Sequence, residues 1–120
     1  MKRRFVEPDT EPQAAEEALC RALLALDSVE AMRAFLRDLC TPAEIEAMVD
    51  RWHVVPYLIE GMSYREIHER TSVSVTTIGR VSRCLLQGTG GYRAAANALS
   101  ASARPARRAA GRRAAAGERA

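Results

Sequence analysis

Two helix-start signals lie close together in the middle of this chain, and the short segment between them limits how the chain can fold. The run S-Y-R-E begins at Ser63, and a serine followed three residues later by a glutamate is a capping box. Ser74 is a second cap, and an apolar pattern of helical spacing follows it. Only residues 71–73 separate the two predicted helices, 63–70 and 74–87. So short a joint makes the helices cross steeply, which is the geometry of a helix-turn-helix.

The remaining patterns also predict helices, and none of them alternates as a β-strand does. One helix begins near Ala15, and Asp27 is expected to cap the next one. Thr41 and Glu44 form another capping box, which starts a long helix that Gly61 ends.

Proline and glycine residues divide this helical chain. Pro56 lacks the N–H of an internal helix residue, so it should kink the long helix near Trp52. Glycines after Gln87 end the preceding helix, and an alanine-rich helix follows over about 92–102. The sequence therefore predicts an all-α fold of six short helices. The predicted domain limits are a disordered N-terminal arm at 1–12, a helix-turn-helix domain at 13–102 and a disordered Arg/Ala-rich tail at 103–120.

Apolar positions in the two short helices predict a small shared core. Aromatic residues make up only 5% of the chain, so a core must consist mainly of aliphatic side chains, with Trp52 expected to join it. At 120 residues a single chain buries only about two-thirds of its surface, and a partner subunit would bury more. The side chains that can meet between the two helices are Ile67, Val73, Ile78, Val81 and Leu85.

Acidic residues are absent from a long part of the chain that includes the second of these helices. None of the 48 residues between Glu69 and Glu118 is an aspartate or a glutamate. This pattern favours a polyanionic partner, and the second helix of a helix-turn-helix enters the major groove of double-stranded DNA. Hydroxyl and arginine side chains suit base edges, and helix N-termini suit phosphates. The DNA contacts predicted on these grounds are Ser63, Ser74, Thr76, Thr77, Gly79, Arg80 and Arg83.

Few other features of the chain indicate chemistry. The three cysteines, Cys20, Cys40 and Cys84, and the two histidines have neither the spacing of a disulfide framework nor that of a metal site. No nucleophile–base arrangement is visible, so neither enzymatic activity nor a cofactor is expected. No segment has the layout of a signal peptide or the apolar length of a membrane span. The expected location is the cytoplasm, in association with the nucleoid.

Three segments resemble the Trp-repressor superfamily, specifically its YerC/YecD branch. They are TPAEIEAMVDRW, GMSYREIHERTSVSVTTIGRVSRCL and GTGGY, and the resemblance extends over about 19–99. It implies an intertwined helical homodimer that reads a palindromic DNA site as a transcriptional regulator. By the same resemblance, Arg65 and His68 approach DNA from the first helix of the motif. Val75, Thr76 and Gly79 fall at base-reading positions of the second helix, where Gly79 departs from the threonine of the Trp repressor.

The resemblance also implies a pocket for a small effector. Arg51 and Arg80 match the two arginines that clamp tryptophan in the Trp repressor, and Thr41 matches a residue near the pocket. However, Val81 replaces a glycine beside the indole ring, and Cys84 replaces a serine that helps to hold the amino group. Because a valine fills volume that the ring would occupy, tryptophan is not expected to bind. Arg51 then has an alternative role, an ion pair with Glu46 or Asp50.

A second hypothesis is an adaptor that docks a protein of the transcription machinery instead of DNA. The apolar Val75 and Val81, taken as exposed, motivate this hypothesis. For the terminal segments, the Arg-rich tail is a candidate for non-specific DNA contact, with a solubilising role as the alternative. The basic start MKRRF is a candidate minor-groove arm.

Overall fold

A computed structural model describes residues 11–102, and the regular structure in that part of the chain is all helical. Within the described residues the chain divides into two compact units, 11–45 and 46–102. The all-α prediction is confirmed. The segments 1–10 and 103–120, which hold most of the predicted arm and the whole tail, lie outside the described residues. The helices are α1 (Pro12–Ala25), α2 (Val29–Leu39), α3 (Pro42–His53), α4 (Val55–Ile59), α5 (Tyr64–Thr71), α6 (Val75–Gln87) and α7, which is helical over 91–102.

The first unit contains α1, α2 and the start of α3. The cap of α2 is Ser28, so the prediction of Asp27 is wrong by one residue. The backbone of Ser28 is extended, with φ −137° and ψ 154°, and its hydroxyl oxygen accepts from the N–H of Ala31. A cap must have non-helical φ and ψ while its side chain reaches the first turn, and Ser28 meets both conditions. No side chain of α1 or α2 is fully buried in this chain.

The predicted long helix consists of two helices, and the break lies at Val54, two residues after Trp52. Pro56 occupies the first turn of α4, where its missing N–H costs nothing, and the N–H of Leu58 bonds to the carbonyl oxygen of Val54. The proline therefore starts a new helix and does not bend an old one. Trp52 remains 37% exposed, so its predicted place in a core is wrong for this chain.

Gly61 ends α4 as predicted, and its backbone conformation gives the reason. Its φ is +84°, the left-handed conformation that glycine adopts without a steric cost. The N–H of Gly61 bonds to Leu58 and the N–H of Met62 bonds to Tyr57, which is the hydrogen-bond pattern of a Schellman motif. This turn leads the chain directly into the cap of α5.

The second unit has a small aliphatic core between α4, α5 and α6. Four of the five predicted core residues are fully or almost fully buried, and Leu85 packs against them partly buried. The break before α4 adds two more, because Val54 and Val55 are both completely buried. The buried side chains are Val54, Val55, Ile67, Val73, Ile78 and Val81. This core fixes α5 against α6 and so determines which residues of α6 remain at the surface.

Candidate nucleic-acid interface

The joint between α5 and α6 consists of Ser72, Val73 and Ser74, one residue later than the predicted joint at 71–73, because α5 extends to Thr71. Ser72 has φ 63° and ψ 7°, a left-handed conformation in which its N–H bonds to the carbonyl oxygen of His68. Val73 is 3% exposed and anchors the joint in the core. The turn between the two helices is thus fixed by one left-handed residue and one buried valine.

Two polar side chains of α5 fasten this joint further. The hydroxyl of Thr71 donates to the carbonyl oxygen of Ile67 at 2.7 Å and accepts from the N–H of Val73 at 3.1 Å. Nδ1 of His68 lies 2.7 Å from the carbonyl oxygen of Val73. Because a carbonyl oxygen only accepts, Nδ1 carries the proton and donates it. Both polar backbone groups of the buried Val73 are therefore satisfied, as burial requires.

The two predicted cap serines both function as caps. The Ser63 hydroxyl oxygen accepts from the N–H of Glu66 at 3.2 Å. The Ser74 oxygen accepts from the N–H of Thr77 at 3.1 Å, and its own hydroxyl donates to the Thr77 hydroxyl at 3.0 Å. Thr77 is half-buried, so its side chain is committed to the start of α6 and lies apart from the exposed face.

The exposed face of α6 brings together five of the predicted residues. Val75 is 51% exposed, Gly79 is half-buried, and the others are exposed. Within the described residues, neither arginine of this face lies within ion-pair distance of a carboxylate. The surface therefore combines hydroxyl, methyl and uncompensated guanidinium groups. We call it the α6 face, and its residues are Val75, Thr76, Gly79, Arg80 and Arg83.

The charges of α5 are arranged differently. Arg65 lies 3.2 Å from Glu69, and Arg70 lies 3.2 Å from Glu66. All four side chains are at least about half exposed, so these pairs add little stability. The two arginines nevertheless offset the negative charges of Glu66 and Glu69, the acids of α5. His68 is exposed, and Nδ1 is engaged at the joint, so Nε2 is its remaining polar atom.

Two residues of this region were not found by sequence reasoning. Thr71 has a local signal that could have indicated it, because a threonine at a helix end can bond to backbone groups on both sides. Tyr64 has no such signal. Its ring reaches Gly79 across the helix crossing, with Cε2 3.8 Å from the point where a side chain on Gly79 would begin. That contact depends on how α5 and α6 pack.

The residues of the predicted effector pocket are divided between the two units. Thr41 belongs to the first unit and caps α3: its N–H donates to Oε1 of Glu44 at 2.7 Å, and its hydroxyl oxygen accepts from the N–H of Glu44 at 3.2 Å. The Thr41 N–H, followed by the Thr41 hydroxyl, lowers the pKa of Glu44 from its ordinary value of 4.5. In the second unit, Arg80 is exposed and Arg51 is half-buried.

Two expectations about this pocket have a structural answer. Among the described residues, Arg51 forms no ion pair, so the predicted alternative of a pair with Glu46 or Asp50 is wrong. Val81 is completely buried in the core of the second unit. Its predicted exposure in the adaptor hypothesis is therefore also wrong, and of the two valines only Val75 lies at the surface.

Cys84 is exposed and borders an open apolar hollow of about 420 Å³ together with Gly88, Thr89, Gly90, Gly91 and Tyr92. In the described part of the chain no three His, Cys, Asp or Glu side chains are grouped so that they could hold a metal ion. Over the same residues, no helix has both the length and the apolar character that crossing a membrane requires.

Comparison with known proteins identifies the family. The family model described as "Trp repressor protein" matches residues 15–100. The chain belongs to the Trp repressor family. The "Uncharacterized protein YerC" of Bacillus subtilis (strain 168) is 38% identical over 76 residues, which are 63% of this chain and 73% of YerC. A solved structure described as that of a TrpR like protein from Eubacterium eligens ATCC 27750 has a TM-score of 0.68 at 36% identity, and the match covers 72% of this chain and 90% of that one. The predicted resemblance to the YerC branch is confirmed.

Proposed function

We propose that this member of the Trp repressor family is a dimeric, sequence-specific DNA-binding regulator of transcription without enzymatic activity. The observation that carries the proposal is the α6 face, which is exposed, contains no acid and presents Arg80 and Arg83 without a carboxylate partner in the described chain. A helix that follows a short, well-fixed joint can enter a major groove, where Thr76 and the arginines meet base edges.

The ends of the helices support the same role by contacting the DNA backbone. Ser63 and Ser74 each satisfy one first-turn N–H, which leaves other N–H groups at the starts of α5 and α6 for phosphate oxygens. Arg65 extends this phosphate contact along α5. Arg65 is 90% exposed in its pair with Glu69, so exchanging that carboxylate for a phosphate costs little.

The dimer is supported by the apolar surface of the first three helices. No side chain of α1, α2 or α3 is fully buried, although these helices carry leucine, valine, methionine and phenylalanine at helical spacing. Amphipathic helices of this kind become stable by burying their apolar stripes against a partner. We propose that a second copy of the chain covers these stripes, and that its two-fold symmetry matches a palindromic site with half-sites about 34 Å apart.

We propose that tryptophan is not the effector. Val81 has no exposed surface because it packs in the core, and the volume beside it is taken by Ile67, Val73 and Ile78. Titration of the protein with tryptophan should therefore leave its affinity for DNA unchanged. Any other effector that uses Thr41, Arg51, Arg80 or Cys84 would have to alter DNA affinity in the same assay.

Selection of fragments from the source genome at physiological salt tests the proposal. The full chain should enrich a palindrome and bind it in the nanomolar range, with an affinity that falls steeply as salt rises. Arg80→Ala should cost about 1–3 kcal/mol of binding free energy, and Thr76→Ala should relax base preference. Arg33→Ala is the matched control, since Arg33 is an exposed arginine of α2 and is not a residue of the α6 face.

Two outcomes would contradict the proposal. A chain that binds all fragments equally has no sequence specificity. A loss of binding on removal of 103–120 that exceeds the loss in Arg80→Ala would move the DNA site to the tail.

The adaptor hypothesis retains Val75 as its exposed apolar side chain. It requires a protein partner that remains bound after nuclease treatment and at moderate salt.

A further inference from the structure

Gly79 is a glycine in the interior of α6 that the fold does not require. Glycine in a helix interior is less stable than alanine because it loses more backbone entropy on folding. Its backbone is not left-handed. A Cβ built on Gly79 would meet Nη1 of Arg83 at 3.7 Å and Cε2 of Tyr64 at 3.8 Å, which are ordinary van der Waals distances. Since nothing in the described chain excludes a methyl group there, the reason for the glycine lies outside the chain.

The missing side chain leaves a gap of about methyl size on the α6 face. Gly79 is its floor, the ring edge of Tyr64 is one wall, and the guanidinium of Arg83 is the other; we call this gap the Gly79 notch. Tyr64 is the first residue of α5 and is 40% exposed, and Arg83 is exposed. The notch therefore opens to solvent between the two helices of the motif.

The walls of the notch have a distinct chemical pattern, with an aromatic C–H edge beside a cationic N–H donor. In the major groove, thymine presents a 5-methyl group next to the O4 acceptor. Cytosine presents an N4 donor and no methyl group, and guanine presents acceptors without a methyl group. Adenine presents an acceptor beside a donor, again with no apolar group. Of the four bases, only thymine matches both walls.

We propose that the Gly79 notch receives the 5-methyl group of a thymine while Arg83 donates to the adjacent O4. Tyr64 and Gly79 are then specificity-determining residues of the α6 face. This inference rests on the proposed DNA-binding function and adds to it the identity of one base in each half-site. This proposal explains the glycine, because a Cβ at position 79 would obstruct the space that receives the thymine methyl.

Substitution of deoxyuridine for thymidine tests the notch, because it removes only the 5-methyl group. In the palindrome selected by the full chain, each symmetric pair of thymidines is replaced in turn. At one pair, the affinity of the wild-type protein should fall about fourfold per half-site, the factor that corresponds to burying one methyl group. Replacements at the other thymidines should have smaller effects.

Variants of the protein complete the test. Gly79→Ala should bind the thymidine site more weakly than the wild type and should recover affinity when that pair is deoxyuridine, since the new methyl replaces the lost one. Tyr64→Ala should abolish the difference between the two DNAs. Tyr64→Phe is the matched control and should retain the difference, because the ring edge is unchanged. Thermal melting checks folding, and Gly79→Ala should melt at or above the wild-type temperature.

The possible failures are distinguishable. If the wild-type protein selects no site, the proposed function and this inference both fail. If it selects a site and no deoxyuridine pair changes the affinity, the function stands and the notch is wrong. The notch is equally wrong if Gly79→Ala keeps the wild-type affinity and the wild-type discrimination between thymidine and deoxyuridine.

Discussion

Within the helix-turn-helix, the backbone strain lies at Ser72. Among the described residues it is the single non-glycine with positive φ, at 63°. A left-handed conformation costs an L-residue roughly 1–2 kcal/mol, and glycine avoids that cost but loses about 0.5–1 kcal/mol of backbone entropy. The joint is nevertheless kept, because the following Val73 is buried and the N–H of Ser72 is bonded.

Two different substitutions of Ser72 should therefore change the stability of the protein in opposite directions. Ser72→Gly should raise the free energy of unfolding by about 0.5–1 kcal/mol, because the steric cost exceeds the entropic one. Ser72→Val should lower it by more than about 1 kcal/mol, since a β-branched residue is poorly accommodated at positive φ. Chemical denaturation at a fixed protein concentration measures both. Equal stabilities for the two variants would show that the joint relaxes and stores no strain.

Glu44 is a second residue whose local bonds have a measurable consequence. The Thr41 N–H holds the pKa of Glu44 below its ordinary value, so the folded state favours the ionised carboxylate. The stabilising effect is fully present above the unfolded pKa and is lost as the pH falls through the folded pKa. It should disappear in the acid range, below about pH 4.5.

The comparison with Glu44→Gln isolates this effect. Glutamine can make the same bond to the Thr41 N–H, but it does not titrate. The wild-type protein should lose stability relative to Glu44→Gln between about pH 6 and pH 3. Thermal melting across that range is the measurement. Parallel curves for the two proteins would mean that the bond to Thr41 does not persist in solution.

At the scale of elements, the joint between α5 and α6 depends on the Thr71 hydroxyl. It bridges Ile67 at the end of α5 and the N–H of Val73 in the joint. Because Val73 is buried, its N–H has no water to replace a lost partner. The crossing of the two helices is thus held by a side chain that touches no predicted DNA contact.

Thr71→Val should destabilise the protein by about 1–2 kcal/mol, because it keeps the shape of the side chain and removes both hydrogen bonds. Thr71→Ser is the matched control and should retain most of the stability, since serine keeps the hydroxyl. Hydrogen exchange at the Val73 amide should become faster in Thr71→Val and remain slow in Thr71→Ser. Unchanged protection of that amide in Thr71→Val would rule out the bridge.

At the scale of the whole molecule, a single chain does not explain why apolar side chains of the first three helices are exposed. Leu24 is 83% exposed, Val29 75%, Leu39 49% and Val49 57%. Isolated exposed leucines are common, but a series of them on helices with no buried residue indicates a surface that a partner covers. The proposed dimer buries this surface, whereas a monomer leaves it in water.

Dimerisation can be tested at one of these positions. Leu24→Glu should convert the dimer to a monomer and lower the melting temperature, because a carboxylate would be buried without a partner. Arg21→Glu, at an exposed polar site of the same helix, is the control and should remain dimeric. Sedimentation over a hundredfold range of concentration measures the assembly. A wild-type chain that sediments as a monomer and melts at a constant temperature over that range would exclude the dimer.

Much of the local structure follows from short-range chemistry, and the sequence indicated it correctly. Ser63, Ser74 and the Thr41–Glu44 pair each form the predicted cap, because a cap needs only a few consecutive residues. The wrong predictions also concern short segments of the chain. Asp27 and Ser28 are neighbouring residues that can both cap, and the proline at position 56 can either bend a helix or start one. Local preference does not decide between such alternatives.

The sequence by itself determined the helical class, the joint of three residues between α5 and α6, and the acid-free character of the α6 face. These depend on residue identity and spacing along one helix. The tertiary structure alone decided that Val54 is buried, that Trp52 is not, and that Tyr64 and Arg83 border Gly79. Those facts depend on how different helices pack against each other, and a pattern of residues along one helix does not contain that packing.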